Sequence, residues 1–427
     1  MGVATTYNPG SNAPSRGSPS RGFPDSAAPF AMSRLNALLL FFAMWMVSPA
    51  FSADPPQRTT DFGPVPPQST DDIDPATGLA RTTVVRPLTN VPPVPDARRL
   101  QPQQGSRPHI ALILPTTSPT LGRLADAVRQ GFVAAAEAAG REGPAVAVTA
   151  IENEGMPLLD ACRAAQAAGA VLVVGGLTRD GATALSRSDC PRQPVLALND
   201  PQGVDLPANL YAVSLSIENE ARQVALLAVA EGWHSAIVIT SPSPLAKRVQ
   251  EAFEREWTRA AGQVTGRLMF GGIAEDAPLV RERIASVRAA DMVFMALDAA
   301  DARAVRPYVS GMLPLYATSL SVNPRAEAIV NVDLQGVRYV EMPWFVLPDH
   351  PAVMVYPVPR AVSVEQERLY AFGIDAYRLA LQMLRQDRRA PLDGVTGKIT
   401  LEAGNLFSRV LTPAEVDGGR VIPLRSP

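Results

Sequence analysis

Residues Ala111 to Phe132 read ALILPTTSPTLGRLADAVRQGF, and this stretch decides the predicted fold. An apolar run, a turn of Thr, Ser and Pro, and an amphipathic pattern follow one another, which is typical of a buried strand joined to a helix. A similar order occurs in IVITSPSPLAKRVQEAFEREWTRAAG. The two stretches predict two lobes, each of which begins with the same order of strand, turn and helix. The two lobes are expected to face a common cleft.

Alternation of strand and helix patterns continues through most of the chain from His109 onward. Strand candidates such as HIALIL, AVLVVGG and SAIVIT are apolar throughout, which indicates parallel strands covered on both faces. Predicted helices cover Thr120–Gly140, Pro157–Ala168, Arg179–Ser188, Ile217–Gly232, Leu245–Gly262, Pro278–Ala289 and Glu365–Gln386. The fold class is therefore α/β, with a doubly wound, mostly parallel sheet in each lobe.

The amino-terminal 106 residues differ in composition from the rest. MSRLNALLLFFAMWMVSPAFSADPP has an arginine, a short apolar run and small residues, which is the layout of a secretory signal peptide. We assign residues 1–53 to a leader and signal peptide. Residues 54–106 are assigned to a disordered tether, since twelve prolines lie between Asp54 and Pro108. We expect a periplasmic protein without a transmembrane segment, and no cysteine near the cleavage point offers a lipobox.

Charge and cysteine content exclude some classes of partner. The formal net charge of -2 predicts no electrostatic capture of nucleic acid. Cys162 and Cys190 are the two cysteines, and in an oxidising compartment a pair inside one domain is expected to form a structural disulfide.

The sequence offers no catalytic set. None of the three histidines has a Ser, Cys or carboxylate at a motif spacing, and no G-x-S-x-G or H-E-x-x-H is present. A surface or capping role is predicted for each histidine, and Glu152 and Glu154 are interpreted as solvated loop charges. We predict a non-enzyme without cofactor or metal.

The carboxyl-terminal third resembles a known family. TSLSVNPRAEAIVNVDLQGVRYVEMPWFV, RLYAFGIDAYRLA and GVTGKITLEAGNLFSRVL resemble successive segments of the penicillin-binding protein activator family (LpoA, also called LppC). The resemblance covers Arg107 to Leu424. It implies a two-lobed type I periplasmic-binding-protein-like fold over residues 107–427. It also implies a role in peptidoglycan synthesis, since family members are outer-membrane lipoproteins that stimulate a synthase by direct contact. This chain departs from the family in its missing lipobox cysteine and in the tether, which stands in place of a helical-repeat domain.

The fold implied by this resemblance also predicts how the lobes divide the chain. Its chain crosses between the lobes three times. Lobe one is expected to contain residues 107–213 and 315–386, and lobe two residues 216–314 and 393–424.

Side chains in the turns after the strands are the candidates for a ligand in the cleft. Relatives of this fold that capture amino acids hold the ligand with hydroxyls, helix N–H groups and an acidic residue. The matching positions are Thr116, Thr117, Ser118, Thr178, Asp200, Ser214, Ser241, Asp298 and Ser319. Helix capping is the alternative role of the hydroxyls.

Aromatic residues after the last parallel strand are candidate anchors for a protein partner. Trp344, Phe345 and Tyr356 lie in VEMPWFVLPDHPAVMVYPVPR, with coverage of the core as the alternative. The sequence thus predicts a non-catalytic exported regulator that binds a penicillin-binding protein, a cell-wall synthase. The alternative is a periplasmic solute-binding protein for an amino acid or a similar small polar ligand.

Overall fold

The computed structural model describes residues 108–140, 143–272, 277–287, 290–309, 311, 313–360 and 363–424, all within one unit, Thr89–Pro427. The predicted leader, signal peptide and tether lie outside these residues. The strands are β1 (His109–Leu114), β2 (Ala145–Ala150), β3 (Ala170–Gly175), β4 (Val195–Ala197), β5 (Leu210–Val213), β6 (Ser235–Thr240), β7 (Gln263–Met269), β8 (Met292–Ala296), β9 (Leu315–Ala317), β10 (Val337–Glu341), β11 (Leu392–Asp393), β12 (Lys398–Leu401), β13 (Leu406–Val410), β14 (Thr412–Asp417) and β15 (Arg420–Pro423).

The helices lie between these strands. Seven of them correspond to the seven predicted helices, and each begins and ends within three residues of the predicted bounds. They are α1 (Gly122–Ala139), α2 (Met156–Ala167), α3 (Arg179–Ser186), α4 (Ile217–Ala230), α5 (Pro244–Arg259), α6 (Ala277–Ser286), α7 (Ala299–Val305), α8 (Ala328–Asn331), α9 (Pro343–Val346), α10 (Pro351–Met354) and α11 (Val364–Leu384).

The strands form two sheets, one in each lobe. The first has the order β11-β12-β13-β5-β4-β3-β1-β2, and the second has the order β15-β14-β10-β9-β8-β6-β7. Neighbours from β2 to β13 and from β7 to β10 are parallel, whereas β11, β12, β14 and β15 pair antiparallel. The predicted α/β class with two mostly parallel sheets is confirmed.

Central strands are apolar because helices cover both of their faces. Every residue of β1 and β8 is buried, and so is β6 after its first residue. The edge strand β7 instead alternates between exposed residues and partly buried ones, apart from the buried Leu268. Because of that alternation and of Gly266, β7 lacks the continuous apolar run by which the central strands were predicted, and it was not predicted as a strand.

Helices α1 and α11 pack closely on lobe one. A Cβ at Gly131 would collide with the carbonyl of Tyr370, and one at Gly373 would collide with the carbonyl of Val128. The two helix backbones therefore touch where glycines replace larger side chains. Phe132 meets the ring of Tyr377 edge-on at 5.2 Å between centroids.

The chain is divided between the two lobes differently from the predicted partition. Strands β9 and β10 belong to the second sheet, although residues 315–341 were assigned to lobe one. Strands β12 and β13 belong to the first sheet, although residues 398–410 were assigned to lobe two. The reason is hydrogen bonding: β9 extends the second sheet beside β8, and β13 extends the first beside β5.

The predicted disulfide is confirmed. Cys162 on α2 pairs with Cys190 in the loop after α3, with 6.2 Å between their Cα atoms. It ties α2 to the loop after α3 within lobe one. Among the described residues, none of the helices is both long and apolar enough to span a bilayer.

Candidate functional site

The described elements pass from one sheet to the other three times. The first crossover, Ser214–Ser216, joins β5 to α4, and the third is Leu411, between β13 and β14. The second runs from Met342, after β10, to α11. Four buried charged residues and the mostly buried Arg368 lie around these crossovers. They are called the hinge cluster here: Glu220, Glu341, Arg368, Asp375 and Arg409.

Arg409 connects the first and third crossovers. Its Nε donates to the carbonyl of Ser214 at 2.9 Å, and its Nη1 donates to the carbonyl of Thr396 at 2.9 Å. The carbonyl of Arg409 accepts from the side-chain amides of Asn219 and Gln223 on α4. A residue on the first sheet is thereby bonded to the first helix of lobe two.

Arg368 and Glu341 connect the second crossover to lobe one. The guanidinium of Arg368, on α11, donates to both carboxylate oxygens of Glu341 at 2.5 and 2.7 Å, and Glu341 is fully buried at the end of β10. Such two-point pairing fixes the relative orientation of both groups. Nearby, the carboxylate of Glu220 on α4 accepts from the backbone N–H of Ser319 at 3.1 Å.

Burial shifts the ionisation of the hinge cluster. It raises the pKa of Glu220, an effect that the charge of Arg368 opposes and the charge of Glu341 reinforces. Burial also raises the pKa of Asp375, while Arg378 and hydrogen bonds from Thr396 oppose the rise. It lowers the pKa of the Arg409 guanidinium, against the attraction of Glu220 and Asp375. These charges are desolvated and depend on one another for compensation.

The cleft between the lobes contains a small cavity. Its volume is about 160 Å³, and it is lined by Leu177, Arg179, Leu198, Asn199, Leu215, Ser216, Ile217, Glu218, Arg248, Leu369 and Phe372. Pockets that hold drug-sized ligands typically enclose about 300–1,000 Å³. The cavity has an apolar floor and an ionic rim.

That rim is an ion-pair bridge between the lobes. The carboxylate of Glu218, on α4, meets Arg179 of lobe one at 2.7 Å and Arg248 of lobe two at 3.0 Å. Glu218 is mostly buried, whereas the two arginines are partly exposed. Burial opposes ionisation of Glu218, but the Arg179 hydrogen bond and charge prevail and lower its pKa. The carboxylate therefore stays charged and occupies both guanidinium groups.

Most lobe-one candidates act within the fold. Thr178 caps α3 by accepting from the N–H of Gly181 at 3.0 Å, and Ser118 accepts from Leu121 before α1 at 3.3 Å. Thr116 and Thr117 lie in the same turn, where their N–H groups bond to the carbonyls of Leu114 and Ile151. The capping alternative describes Thr178, whereas Ser118 bonds within the turn before α1, and none of these four lines the cavity.

The remaining candidates have separate surroundings. Ser214 donates to Asp200 at 2.6 Å, next to the cavity residues Asn199 and Leu215. Asp298 caps α7 by accepting from two backbone N–H groups. Ser241 is buried at the end of β6, and Ser319 bonds through its N–H to Glu220. Asp200 and Ser214 form the only pair among the candidates that a described side-chain hydrogen bond joins.

Glu154 corrects one sequence interpretation. It is buried rather than solvated, and its carboxylate accepts from the N–H groups of Leu177 and Thr178, both at 2.7 Å. Burial raises its pKa, against these hydrogen bonds. Glu152 is exposed, as expected. Nothing in the sequence of the neighbouring GGLT turn indicated that its backbone N–H groups would bind a carboxylate.

The histidines differ among themselves. His350 caps α10, as its Nδ1 accepts from the N–H of Ala352 at 3.2 Å, which is the predicted kind of role. His109 is buried in β1 and is neither a surface residue nor a cap, which corrects the prediction. Within the described ranges, no group of three or more His, Cys, Asp or Glu side chains is arranged to hold a metal ion.

The aromatic candidates for partner binding lie mostly inside the protein. Trp344 is buried and donates to Glu367 at 2.8 Å, and Phe345 is buried beneath the guanidinium groups of Arg325 and Arg368. Tyr356 is partly buried. These positions favour the alternative of core coverage for Trp344 and Phe345.

Comparison with known proteins identifies the family. A family model described as "LppC putative lipoprotein" matches residues 96–272 and 279–419. The chain belongs to the LppC family. The resemblance found in the sequence is thereby confirmed.

The relatives of this LppC protein are described either as penicillin-binding protein activators or as a putative amino acid transporter. The penicillin-binding protein activator LpoA of Edwardsiella ictaluri is 26% identical over 324 residues, which are 66% of this chain and 47% of that protein. The chain thus spans about half the length of the curated relatives that it matches. These relatives are named activators and not enzymes.

Two solved structures show the same two-lobed architecture. The C-domain of Haemophilus influenzae LpoA, titled a regulator of PBP1A, is 22% identical, with a TM-score of 0.62 over 74% of this chain and all of that one. A Chromobacterium violaceum protein titled "a putative branched-chain amino acid ABC transporter" is 35% identical, with a TM-score of 0.63 over 72% of this chain and all of that one.

Proposed function

We propose that this LppC-family protein regulates peptidoglycan synthesis by binding a penicillin-binding protein in the periplasm. It acts without catalysis. The observation that carries the proposal is the state of the cleft, where Glu218 already occupies Arg179 and Arg248 across the opening. The names of the curated relatives support the same conclusion.

The hinge contacts also favour this function over transport. A receptor that closes on a solute needs crossovers that bend between two lobe orientations. Here Arg409 donates to the carbonyl of Ser214 in the first crossover, and Arg368 pairs with Glu341, directly before the second crossover. Directional contacts inside the protein therefore restrain two of the crossovers. A fixed pair of lobes suits a protein that presents a surface. The predicted signal peptide within residues 1–53 would direct export, and the predicted tether, residues 54–106, would extend from that surface in the periplasm.

A reconstitution assay tests the proposal. The purified chain is added to each bifunctional penicillin-binding protein of the same genome, and the rates of glycan polymerisation and peptide cross-linking are measured. We expect one synthase to bind the chain and at least one of its rates to rise. If none binds and no rate changes, the proposal fails.

The second candidate function is capture of an aliphatic amino acid. It is favoured by the 35% identical relative with a transporter title and by the apolar floor formed by Leu198, Ile217 and Phe372. The candidate ligand residues in this case are Asp200 and Ser214 beside the cavity. Leucine, isoleucine, valine and muropeptides are tested for a rise in melting temperature, since a ligand that binds only the native state stabilises it. A dose-dependent rise that Asp200→Ala removes would establish this function.

A further inference from the structure

The second crossover carries an exposed aliphatic strip on lobe one. In the segment 351–360, Met354 is 68% exposed, Val355 is 60% exposed and Val358 is 67% exposed. Single exposed aliphatic residues are ordinary, but three within five positions form a patch. The aromatic anchors expected from this region are buried, whereas these aliphatic side chains face solvent.

A recess adjoins this strip. It has a volume of about 170 Å³ between α1, α11 and the end of the segment, with Arg123, Gln130, Arg360 and Tyr370 among its lining residues. The hydroxyl of Tyr370 donates to the carbonyl of Pro357 at 3.1 Å, which holds the segment against α11. Val358 directly precedes Pro359, which lines the recess, so the strip and the recess adjoin along the chain.

The recess has positive charge without a matching anion. Its own carboxylate, Asp126, is bonded to Arg129 and to Gln130, both at 2.7 Å. Neither Arg123 nor Arg360 has a hydrogen bond or an ion pair with any residue that the structure describes. A carboxylate entering the recess would meet two free guanidinium groups, which bind carboxylates with two parallel hydrogen bonds.

We propose that the strip and the recess together dock an extended segment of the partner synthase, in which an Asp or Glu is flanked by aliphatic or aromatic side chains. This inference rests on the proposed function and names its contact surface. The partner's apolar side chains cover Met354, Val355 and Val358, and its carboxylate enters the recess. The apolar contacts supply affinity, and the charge fixes the register of the segment.

The same charges disfavour a second copy of this chain as the occupant. A two-fold interface places identical patches against each other. It would bring two copies of Arg123 and Arg360 together without adding an unpaired carboxylate, since Asp126 is already engaged. A partner of the opposite charge suits the surface better.

The test compares surface variants of the full chain in binding to the stimulated synthase. Val358→Asp and the double variant Arg123→Glu/Arg360→Glu change the strip and the recess. Matched controls on lobe two are Ile329→Asp, at a side chain that is 73% exposed, and Arg420→Glu, at an exposed arginine on β15. Melting temperatures verify that all four variants are folded.

We expect each docking variant to weaken binding at least tenfold while the controls stay within twofold of the original chain. The Arg123→Glu/Arg360→Glu variant should also lose most of the salt dependence of binding. Binding of the original chain with no loss in either docking variant overturns this inference and leaves the proposed function standing. Absence of binding by the original chain overturns both.

Two further measurements assign other occupants. Sedimentation of the chain alone would reveal a dimer that Val358→Asp dissociates, and flotation with vesicles containing phosphatidylglycerol would reveal a lipid contact. Either result, combined with unaltered synthase binding by the docking variants, overturns the inference.

Discussion

The lobe cores and the hinge between them are equally buried but differ in chemistry. Ile110, Leu112 and Phe294 are completely buried among other apolar side chains. At the hinge, Glu341 is as deeply buried and Arg409 nearly so, and both are charged and hydrogen-bonded. Apolar burial is non-directional, whereas hydrogen bonds to charges require one geometry. The cores thus stabilise each lobe, and the hinge specifies how the lobes are oriented.

Replacement of Arg409 should have the largest effect on the hinge, both on the unfolding free energy and on the orientation of the lobes. Arg409→Met leaves the carbonyls of Ser214 and Thr396 without their donor and removes the positive charge near Glu220 and Asp375. Loss of one partner from a buried charged network costs about 3–5 kcal/mol of unfolding free energy. Urea unfolding measures the loss, and spin labels at Asp180→Cys and Glu251→Cys measure the distance between lobes.

The matched control is Leu112→Ala in the core of lobe one. It should destabilise by about 2–5 kcal/mol through the cavity it creates. We expect a broadened inter-lobe distance only in Arg409→Met. Equal broadening in both variants would mean that the lobe cores also set the orientation.

Removal of the disulfide should have the next largest effect. Cys162→Ala/Cys190→Ala opens a link across 28 residues that lies wholly within lobe one. The unfolding free energy should fall by about 3 kcal/mol, because the unfolded chain regains conformational freedom. The inter-lobe distance should stay unchanged in the same spin-label experiment, and a shift there would contradict the separation of roles.

The pH dependence of stability should distinguish the hinge from the cores. Burial raises the pKa of Glu220 above its ordinary value of 4.5, so between the unfolded and folded pKa values the native state binds more protons than the unfolded state. The contribution of Glu220 to stability is therefore greatest at low pH and is lost as the pH rises through its folded pKa. Glu220→Gln should flatten the stability profile above pH 4.5, measured by urea unfolding at several pH values. An unchanged profile would mean that Glu220 does not titrate in this range.

The cleft ion pair should give the smallest effect. Glu218→Gln removes the charge between Arg179 and Arg248, whose side chains are 36% and 49% exposed. Partly exposed pairs contribute about 0–1 kcal/mol each, and salt weakens them. Melting temperatures in low and high salt, with Glu254→Gln as a control within lobe two, test this. If Glu218→Gln alone widens the inter-lobe distance, the cleft and not the hinge holds the lobes.

Periodicity predicted the fold well where elements are covered on both faces. The apolar runs of β1 and β6 were located to the residue. The lobe partition was less accurate. Short strands such as β9 join whichever sheet edge is adjacent, and three-residue strands carry too little pattern to reveal their neighbours.

The hinge cluster could not be predicted from sequence, for a physical reason. Glu220, Arg368 and Arg409 lie on separate elements, far apart along the chain, and the sequence around each resembles that of a surface residue. Only tertiary packing reveals that Glu220 and Arg409 are buried and that Arg368 is mostly buried near them. The cleft candidates met the opposite difficulty, since a hydroxyl such as that of Thr178 suits a cap and one such as that of Ser118 suits a turn as well as a ligand.

The strand order also determines when each lobe can be completed as the chain folds. The first sheet begins with β1 but needs β11 to β13, and α1 needs α11, so lobe one must wait for residue 410 before it can close. Lobe two likewise waits for β14 and β15. Contacts between such distant parts of a chain form slowly, because long loops must close first. A chain interrupted before residue 392 would leave both sheets with unpaired edges, exposed to proteases and to aggregation.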